Sequence, residues 1–454
     1  VMKRFALFAL PVTLMLAAPL LVRVYAKFDD PAALRLTTIF AVICLPQLFF
    51  YGLFTILGQV LNANGRFAGF MWAPALANVV AVAGLVWFMQ AGYPSGASPA
   101  DWTPAMIGIL AGTATLSIAI QALALVIPLR RIGFRYRPVW GVRGHGLGEV
   151  SQVAKWTFGS LVVSQLGYVV TSRVLTGATE RGKVLGESVS GLAAYQNAFL
   201  IVMLPHGLIT VSLVTALSTR LPEAASRDDP RQVRRSHDQG LRLPAVIIVP
   251  GCVFLAVLAP YITSTFFFSN SLDQTRAIAV VLSVIAWMAI PMSWTYLNDR
   301  VFYAHEMTWM SFRLQCVTTG VATIGAVVAL QVEPARTAMV LGAGQVLAFV
   351  VSAAVGFWVL RRMIGNLGLR STARTYVLLL LPAIVTAVGL LLAIGRLFPD
   401  LGETRGASGL LAGGLVLGAA GAIQLGVTWG VASLLGVREI STALQPVTRR
   451  LRRR

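Results

Sequence analysis

A chain of 454 residues that is 57% hydrophobic and only 12% charged, with a mean hydropathy of +0.76, cannot fold as a water-soluble globule, whose composition carries about 25% charge. Its net charge of +20 would suit nucleic acid, yet apolar runs of about 20 residues, the length that crosses a hydrocarbon core of roughly 30 Å, recur along the whole sequence. The chain therefore reads as an all-α polytopic membrane protein: no β-barrel alternation is present, and the helix is the other way to satisfy every backbone group inside lipid.

Twelve helices are predicted in chain order. The first spans 5–25, and the second, 38–61, carries Cys44 and Gln59. A polar corner follows, LNANGRFAGFMWAP at 61–74, with Asn62 and Arg66 between two apolar runs. The third helix, 70–89, holds Asn78, and the fourth, 104–129, holds Gln121 in its middle. A basic linker, 130–152, with Arg130, Arg131, Arg135, Arg137 and Arg143, precedes the fifth helix, 153–175, which carries Gln165 and, two residues from its end, Arg173. The sixth, 192–217, contains Gln196, Asn197 and the Pro205–His206 pair. A charged connector, 218–242, reads as a solvated surface helix broken at Pro230, and leads to the seventh helix, 243–267, with Cys252. The eighth, 277–303, ends in Asp299 and Arg300, and the ninth, 310–330, holds Cys316. The tenth, 338–360, carries LGAGQ with Gln345. The eleventh and twelfth, 375–394 and 407–435, the latter with Gln424, precede an Arg-rich tail, 436–454. The three cysteines lie far apart, without a CxxC or a neighbouring His, so they read as structural thiols, and no metal or cofactor is expected. Glycine-rich runs such as LGAGQ suit close helix packing rather than nucleotide binding.

Lys and Arg are concentrated on one side. The head, the loops after even-numbered helices and the tail hold 24 of them, against 8 in the loops after odd-numbered helices. Both termini are therefore expected in the cytoplasm, and the positive charge is accounted for by topology and anionic headgroups rather than by nucleic acid.

A repeat is also visible. GQVLNANGRF from Gly58 aligns with DRVFYAHEMT from Asp299, an offset of 241, and LRRIG at Leu129 aligns with LRRMIG at Leu360, an offset of 231. Helices two to four thus correspond to eight to ten. The shift of six helices preserves sidedness, so the expected lobes are parallel repeats: a first lobe over 1–129, a second over 153–360, and two additional helices over 375–435. By this register the first lobe lacks two helices at its start, about 90 residues at the repeat's offset. A first residue of Val followed by MKRF fits a fragment.

These features resemble the MurJ (MviN) lipid II flippases of the MATE-like flippase superfamily. VLNANGRFAGFMWAPALANVV is similar to that family's helix-corner-helix signature through Asn62, Arg66, Phe67, Pro74 and Asn78. SQLGYVVTSRVL resembles its seventh helix, with Gln165 and Arg173 at matching positions, DRVFYAHEMT its R-x-F-Y-A corner through Arg300, and Gln121 a polar position of its sixth helix. The chain departs from the family where the latter often carries an Asp-Arg pair before a P-x-G turn: Phe199 and Leu200 stand there, one turn from Gln196 and Asn197.

The resemblance implies a non-enzymatic flippase of the bacterial plasma membrane, moving undecaprenyl-diphosphate-linked peptidoglycan precursor (lipid II) by alternating access during cell wall synthesis, with membrane lipids and cell-wall synthesis or division proteins as further partners. The cavity would be cationic to hold diphosphate, and the expected contact residues are Arg173, Arg300, Gln121, Asn62, Arg66, Asn78, Gln165, Gln196 and Asn197. Arg173 and Arg300, near helix ends as drawn, could instead snorkel to headgroups; Arg66 could cap its helix, Gln121 and the other amides could serve as interhelical glue, and His206 reads as a proton relay or as hydrogen-bonded structure. Three other functions are compatible with the residues: a flippase for another polyprenyl-linked oligosaccharide, a cation-coupled MATE-type drug antiporter, and a non-transporting scaffold. Asp299 as the only carboxylate within the predicted helices argues against drug-cation antiport.

Overall fold

The computed structural model describes residues 13–93, 97–134, 147–186, 189–219, 221–227, 229–402 and 406–441. Its regular elements are all helical: α1 (Ala18–Tyr25), α2 (Pro31–Cys44), α3 (Gln47–Ala63), α4 (Phe67–Gln90), α5 (Pro104–Ala124), α6 (Val126–Arg131), α7 (Leu147–Leu185), α8 (Leu192–Pro205), α9 (Ser212–Ser218), α10 (Leu221–Ser226), α11 (Pro230–Val257), α12 (Ala259–Phe266), α13 (Leu272–Ile285), α14 (Ala289–Ala304), α15 (Thr308–Ala329), α16 (Pro334–Ile364), α17 (Leu369–Leu397) and α18 (Gly406–Leu434). Among the described residues, 11 helical runs are long and apolar enough to cross a membrane. The first predicted helix, 5–25, lies partly outside the described residues, as do most of the linker 130–152 and the tail arginines from Arg449 on.

Prolines account for the breaks. The second predicted helix begins at Pro31, capped by Asp30, whose Oδ1 accepts from the Ala32 amide at 2.8 Å. Pro46 then interrupts it between α2 and α3, because a proline has no N–H to donate. The Thr115 hydroxyl reaches over from α5 to donate to the Ile43 carbonyl at 2.8 Å, so the break leaves that half-buried acceptor satisfied. In the sixth predicted helix a single π turn, His206–Val211, follows Pro205 and joins α8 to α9.

The chain divides into two compact units, 1–145 and 146–454. Each contains one copy of the aligned corner, and the two corners have the same backbone. In the first unit Gly65 has φ +68°, and the Arg66 amide donates to the Leu61 carbonyl at 2.9 Å. In the second, Glu306 has φ +58°, and the Met307 amide donates to the Phe302 carbonyl at 2.8 Å. Residue by residue the offset is the same 241 seen in the sequence. Glu306 is the one non-glycine residue with positive φ among the described residues, a conformation that costs an L-residue roughly 1–2 kcal/mol.

In the second unit, α11 and the run α13–α14 form the centre: 61% of each apolar window is buried, against 33% or less in the other spans. Val253 of α11, Leu282 and Ile285 of α13, and Val202 of α8 meet in this core with no exposure. The C-terminal pair α17 and α18 packs on the same unit, with Trp429 Nε1 donating to the Val246 carbonyl at 2.8 Å and Gln424 Nε2 to the Ala383 carbonyl at 3.0 Å.

The connector 218–242 differs from the solvated segment that its charge predicts. Pro230 starts α11 rather than breaking a helix: Asp229 Oδ1 accepts from the Arg231 and Gln232 amides at 3.0 and 3.1 Å, and proline suits the first helical position. Val233, His237 and Leu241 then form a buried stripe continuous with the membrane part of α11. His237 Nε2 lies 3.0 Å from Asn298 Oδ1 of α14, with both residues fully buried.

Candidate functional site: a neutral polar cavity in the second unit

A cavity of about 510 Å³ opens between α7, α8, α15 and α16. Small residues let these helices approach closely. A Cβ on Gly325 of α15 would sit 2.7 Å from the Gly344 Cα of α16, and one on Gly167 of α7 would sit 2.8 Å from the Thr319 side chain of α15. Gly344 belongs to the LGAGQ run, whose next residue, Gln345, lines the cavity. Ser164, Tyr168 and Thr171 follow one face of α7 at helical spacing, and Gln315, Thr318 and Thr319 do so on α15. Gln196 of α8 donates from Nε2 to the Tyr168 hydroxyl, bridging two walls, while Gln315 Nε2 donates to Thr319 Oγ1 at 3.1 Å.

None of the lining residues carries a charge. The two residues that replace the family's Asp-Arg pair, Phe199 and Leu200, are themselves on the cavity wall. This cavity, inside the second unit, is therefore neutral, its wall at that position being aromatic and aliphatic. Tyr168, Thr171, Gln315, Thr318 and Thr319 were not singled out by sequence. Their signal is the i, i+3, i+4 polar spacing inside otherwise apolar helices, which is weak because Ser and Thr are also common packing residues in membrane helices.

The nine sequence-predicted contact residues do not converge on this cavity. Gln196 lines it, but Asn197, one residue on and about 100° around the helix, lines a separate cavity with Asn270, Ser271 and Asp273. Gln165 and Arg173 lie on exposed parts of α7 outside the lining. Arg173 is not at a helix end: α7 runs twelve residues further, to Leu185, and its charged terminus begins at Glu180, seven residues or about 10 Å beyond Arg173. Arg300, on α14, donates to the Tyr296 hydroxyl, and its guanidinium lies 4.8 Å from the Tyr296 ring centre, with Nε buried and unpaired. The same tyrosine meets His206 edge to face at 5.9 Å and Thr215 at 3.4 Å, so Arg300 and His206 belong to one polar cluster beside the π turn.

The remaining four residues are in the first unit. Asn62 is half-buried with Oδ1 unpaired, Arg66 is exposed at the cap position of α4 with no side-chain cap, Asn78 is exposed on α4, and Gln121 is buried on α5. Cys252 is buried and donates to the Ala286 carbonyl at 3.1 Å, whereas Cys44 and Cys316 are half-buried. Among the described residues no group of His, Cys, Asp or Glu is placed to hold a metal ion.

Two all-helical units built of helices of membrane-spanning length, with a polar cavity walled by neutral side chains in the second, define a polytopic membrane protein of MATE-like fold. The fold is similar to a solved lipid II flippase MurJ in its inward closed conformation, at a TM-score of 0.65 and 16% identity over 93% of this chain and 80% of that one. It is also similar to an inward-facing multidrug resistance MATE transporter, at a TM-score of 0.63 and 16% identity over 80% of each chain. The chain belongs to the MurJ family: the family model described as lipid II flippase MurJ matches residues 1–402. A curated relative, the probable lipid II flippase MurJ of Haemophilus influenzae, is 24% identical over 278 residues, covering 59% of this chain. The chain spans about 50% of that relative's length.

Proposed function

We propose that the protein translocates a polyprenyl-diphosphate-linked peptidoglycan precursor, lipid II, across the bacterial plasma membrane by alternating access, with the loops rich in Lys and Arg in the cytoplasm. The observation that carries this reading is the family match over 402 of the 454 residues. The site chemistry supports it. A disaccharide-peptide head offers many hydroxyl and amide groups and must shed water to cross hydrocarbon; a wall of Tyr168, Gln196, Gln315, Thr319 and Gln345 exchanges hydrogen bonds for that hydration without fixing the cargo by charge. The diphosphate needs cations, and Arg173 is the residue we assign to it, because it sits about 10 Å inside the charged end of its helix, where an arginine is costly unless it has a function.

The neutral lining also separates this reading from drug-cation antiport. Such a pump needs a carboxylate facing the drug, and none lines this cavity. The test is complementation of a strain depleted of its own flippase, using the complete gene, with protein abundance checked by immunoblot. Arg173→Ala should abolish growth and Arg173→Lys should fall between, because lysine supplies charge but not the bidentate grip of arginine. Full growth with Arg173→Ala at normal abundance would remove Arg173 from the transport path.

A further inference from the structure

We propose that each unit carries a hinge at the same point of the repeat, a break near the middle of one long span, and that a single side chain straddles each break: Thr115 in the first unit and Cys252 in the second. The part these hinges play in transport rests on the alternating-access reading above. The spans Pro31–Ala63 and Leu272–Ala304 are both 33 residues long, and they are related end to end by the offset of 241 that relates the corners. Each is broken at the same step. Between α2 and α3 the Leu48 amide donates to the Leu45 carbonyl at 3.1 Å. At the same offset, the Ala289 amide donates to the Ala286 carbonyl across the 3₁₀ turn Ala286–Met288 that joins α13 to α14.

Different prolines produce the two breaks. Pro46 makes the first, but its counterpart at the same offset is Trp287, which has an N–H to give. The second follows from Pro291, whose missing N–H would have bonded the Trp287 carbonyl one turn back. Nor does a proline suffice by itself: α4, α11 and α17 run unbroken through Pro74, Pro244, Pro250 and Pro382. Two unrelated prolines therefore interrupt the same step of the repeat, while others inside helices interrupt nothing. A mid-helix 3₁₀ turn makes poorer hydrogen bonds than the α-helix around it, so the span bends there before it bends elsewhere.

A neighbouring helix holds each break together. Thr115 of α5 donates to the Ile43 carbonyl on α2 at 2.8 Å and accepts from Gln47 Nε2 on α3 at 3.1 Å, so one hydroxyl ties both halves of the span. Cys252 of α11 donates to the Ala286 carbonyl at 3.1 Å and lies against the Ile290 backbone of α14, so one thiol does the same in the second unit. Both are weak holds, a single neutral hydroxyl and a thiol that donates poorly. The halves of the second span also have different neighbours: α13 packs on α8, a wall of the cavity, whereas α14 packs on α11 and α16 and leads into the corner. A bend at 286–288 therefore moves the α8 wall against the corner.

The experiment is hydrogen exchange of the purified full chain in lipid nanodiscs, read by mass spectrometry, alongside exposure of lipid II on the outer face of cells depleted of their own flippase. Amides at 45–49 and 286–290 should exchange at least about tenfold faster than the helical turns on either side. Thr115→Val keeps the volume and loses the hydroxyl; it should speed exchange several-fold at the first break and leave the second unchanged. Cys252→Ala should do the reverse, and Cys252→Ser, which restores a donor, should return exchange toward the wild-type rate. Pro46→Ala/Pro291→Ala restores an N–H at each break and lets the helix run on; it should slow exchange at both breaks by about tenfold and slow lipid II exposure several-fold at equal abundance. Pro382→Ala, in the unbroken α17, should leave exposure unchanged. Uniform exchange along both spans, or exchange unaltered in Pro46→Ala/Pro291→Ala, overturns the hinges. Slowed exchange with undiminished lipid II exposure overturns their part in transport. Fast exchange at both breaks in a wild type that never exposes lipid II leaves the hinges standing and overturns the transport reading instead.

Discussion

Replacing Gly325 by alanine should measure how firmly α15 and α16 hold the cavity open between them. The added Cβ would lie 2.7 Å from the Cα of Gly344, where ordinary contact starts at 3.4 Å, so the helices must separate by about 0.7 Å. The obstacle is backbone, so no side chain can rotate away, and overpacking of this kind costs about 1–3 kcal/mol. Gly320, on the same helix, is the control: nothing lies within 4 Å of its Cβ position, and Gly320→Ala should change stability by no more than about 1 kcal/mol, in the stabilising direction. The assay is a denaturation titration in mixed micelles, followed by complementation. Equal stability of Gly325→Ala and wild type would refute the claim that this glycine pair sets the helix spacing.

The two corners make an opposed pair of expectations. Gly65→Ala should destabilise the first by about 1 kcal/mol through φ alone, since no atom crowds its Cβ, and Glu306→Gly should stabilise the second by a similar amount, both read from unfolding temperature. Asn298→Leu should cost about 1–3 kcal/mol by leaving the buried His237 ring nitrogen without its partner, and His237→Leu added to it should recover most of that loss in the same titration. A cysteine at position 137, in the basic linker outside the described residues, should react with an impermeant thiol reagent only after the cells are opened; labelling from outside would reverse the orientation.

Much of the fold is legible because lipid leaves a membrane chain few options. Apolar length marks the spans, and the aligned corners mark the repeat because both end a helix with one left-handed residue. Sequence could flag Gly65 for that position but not Glu306, where glutamate is held in the strained conformation by the same hydrogen bonds. The connector misled because charge density outweighed its sparse apolar stripe, Val233, His237 and Leu241, and because Pro230 reads as a breaker when Asp229 in fact makes it a start. Arg173 looked terminal because α7 continues past Leu175 into residues too polar for a hydropathy window, through Glu180, Arg181 and Lys183. Gln196 and Asn197, adjacent in sequence, were grouped as one feature although one helical step turns them toward different cavities. The neutral cavity itself was half visible: Phe199 and Leu200 marked the lost charge, but only the packing of α7 and α15 placed Tyr168 and Gln315 beside them.

The central claim is translocation of a lipid-linked precursor, and its most direct measurement is the exposure of that precursor on the outer face of the membrane. In cells depleted of their own flippase and expressing the complete gene of this protein, lipid II should become accessible to a degrading enzyme added outside. The double variant Gln196→Leu/Gln315→Leu, which strips two hydrogen-bonding groups from the cavity wall at about 1 kcal/mol each, should slow that exposure several-fold at equal protein abundance. Precursor that stays inaccessible while the wild-type protein is abundant in the membrane would contradict the account.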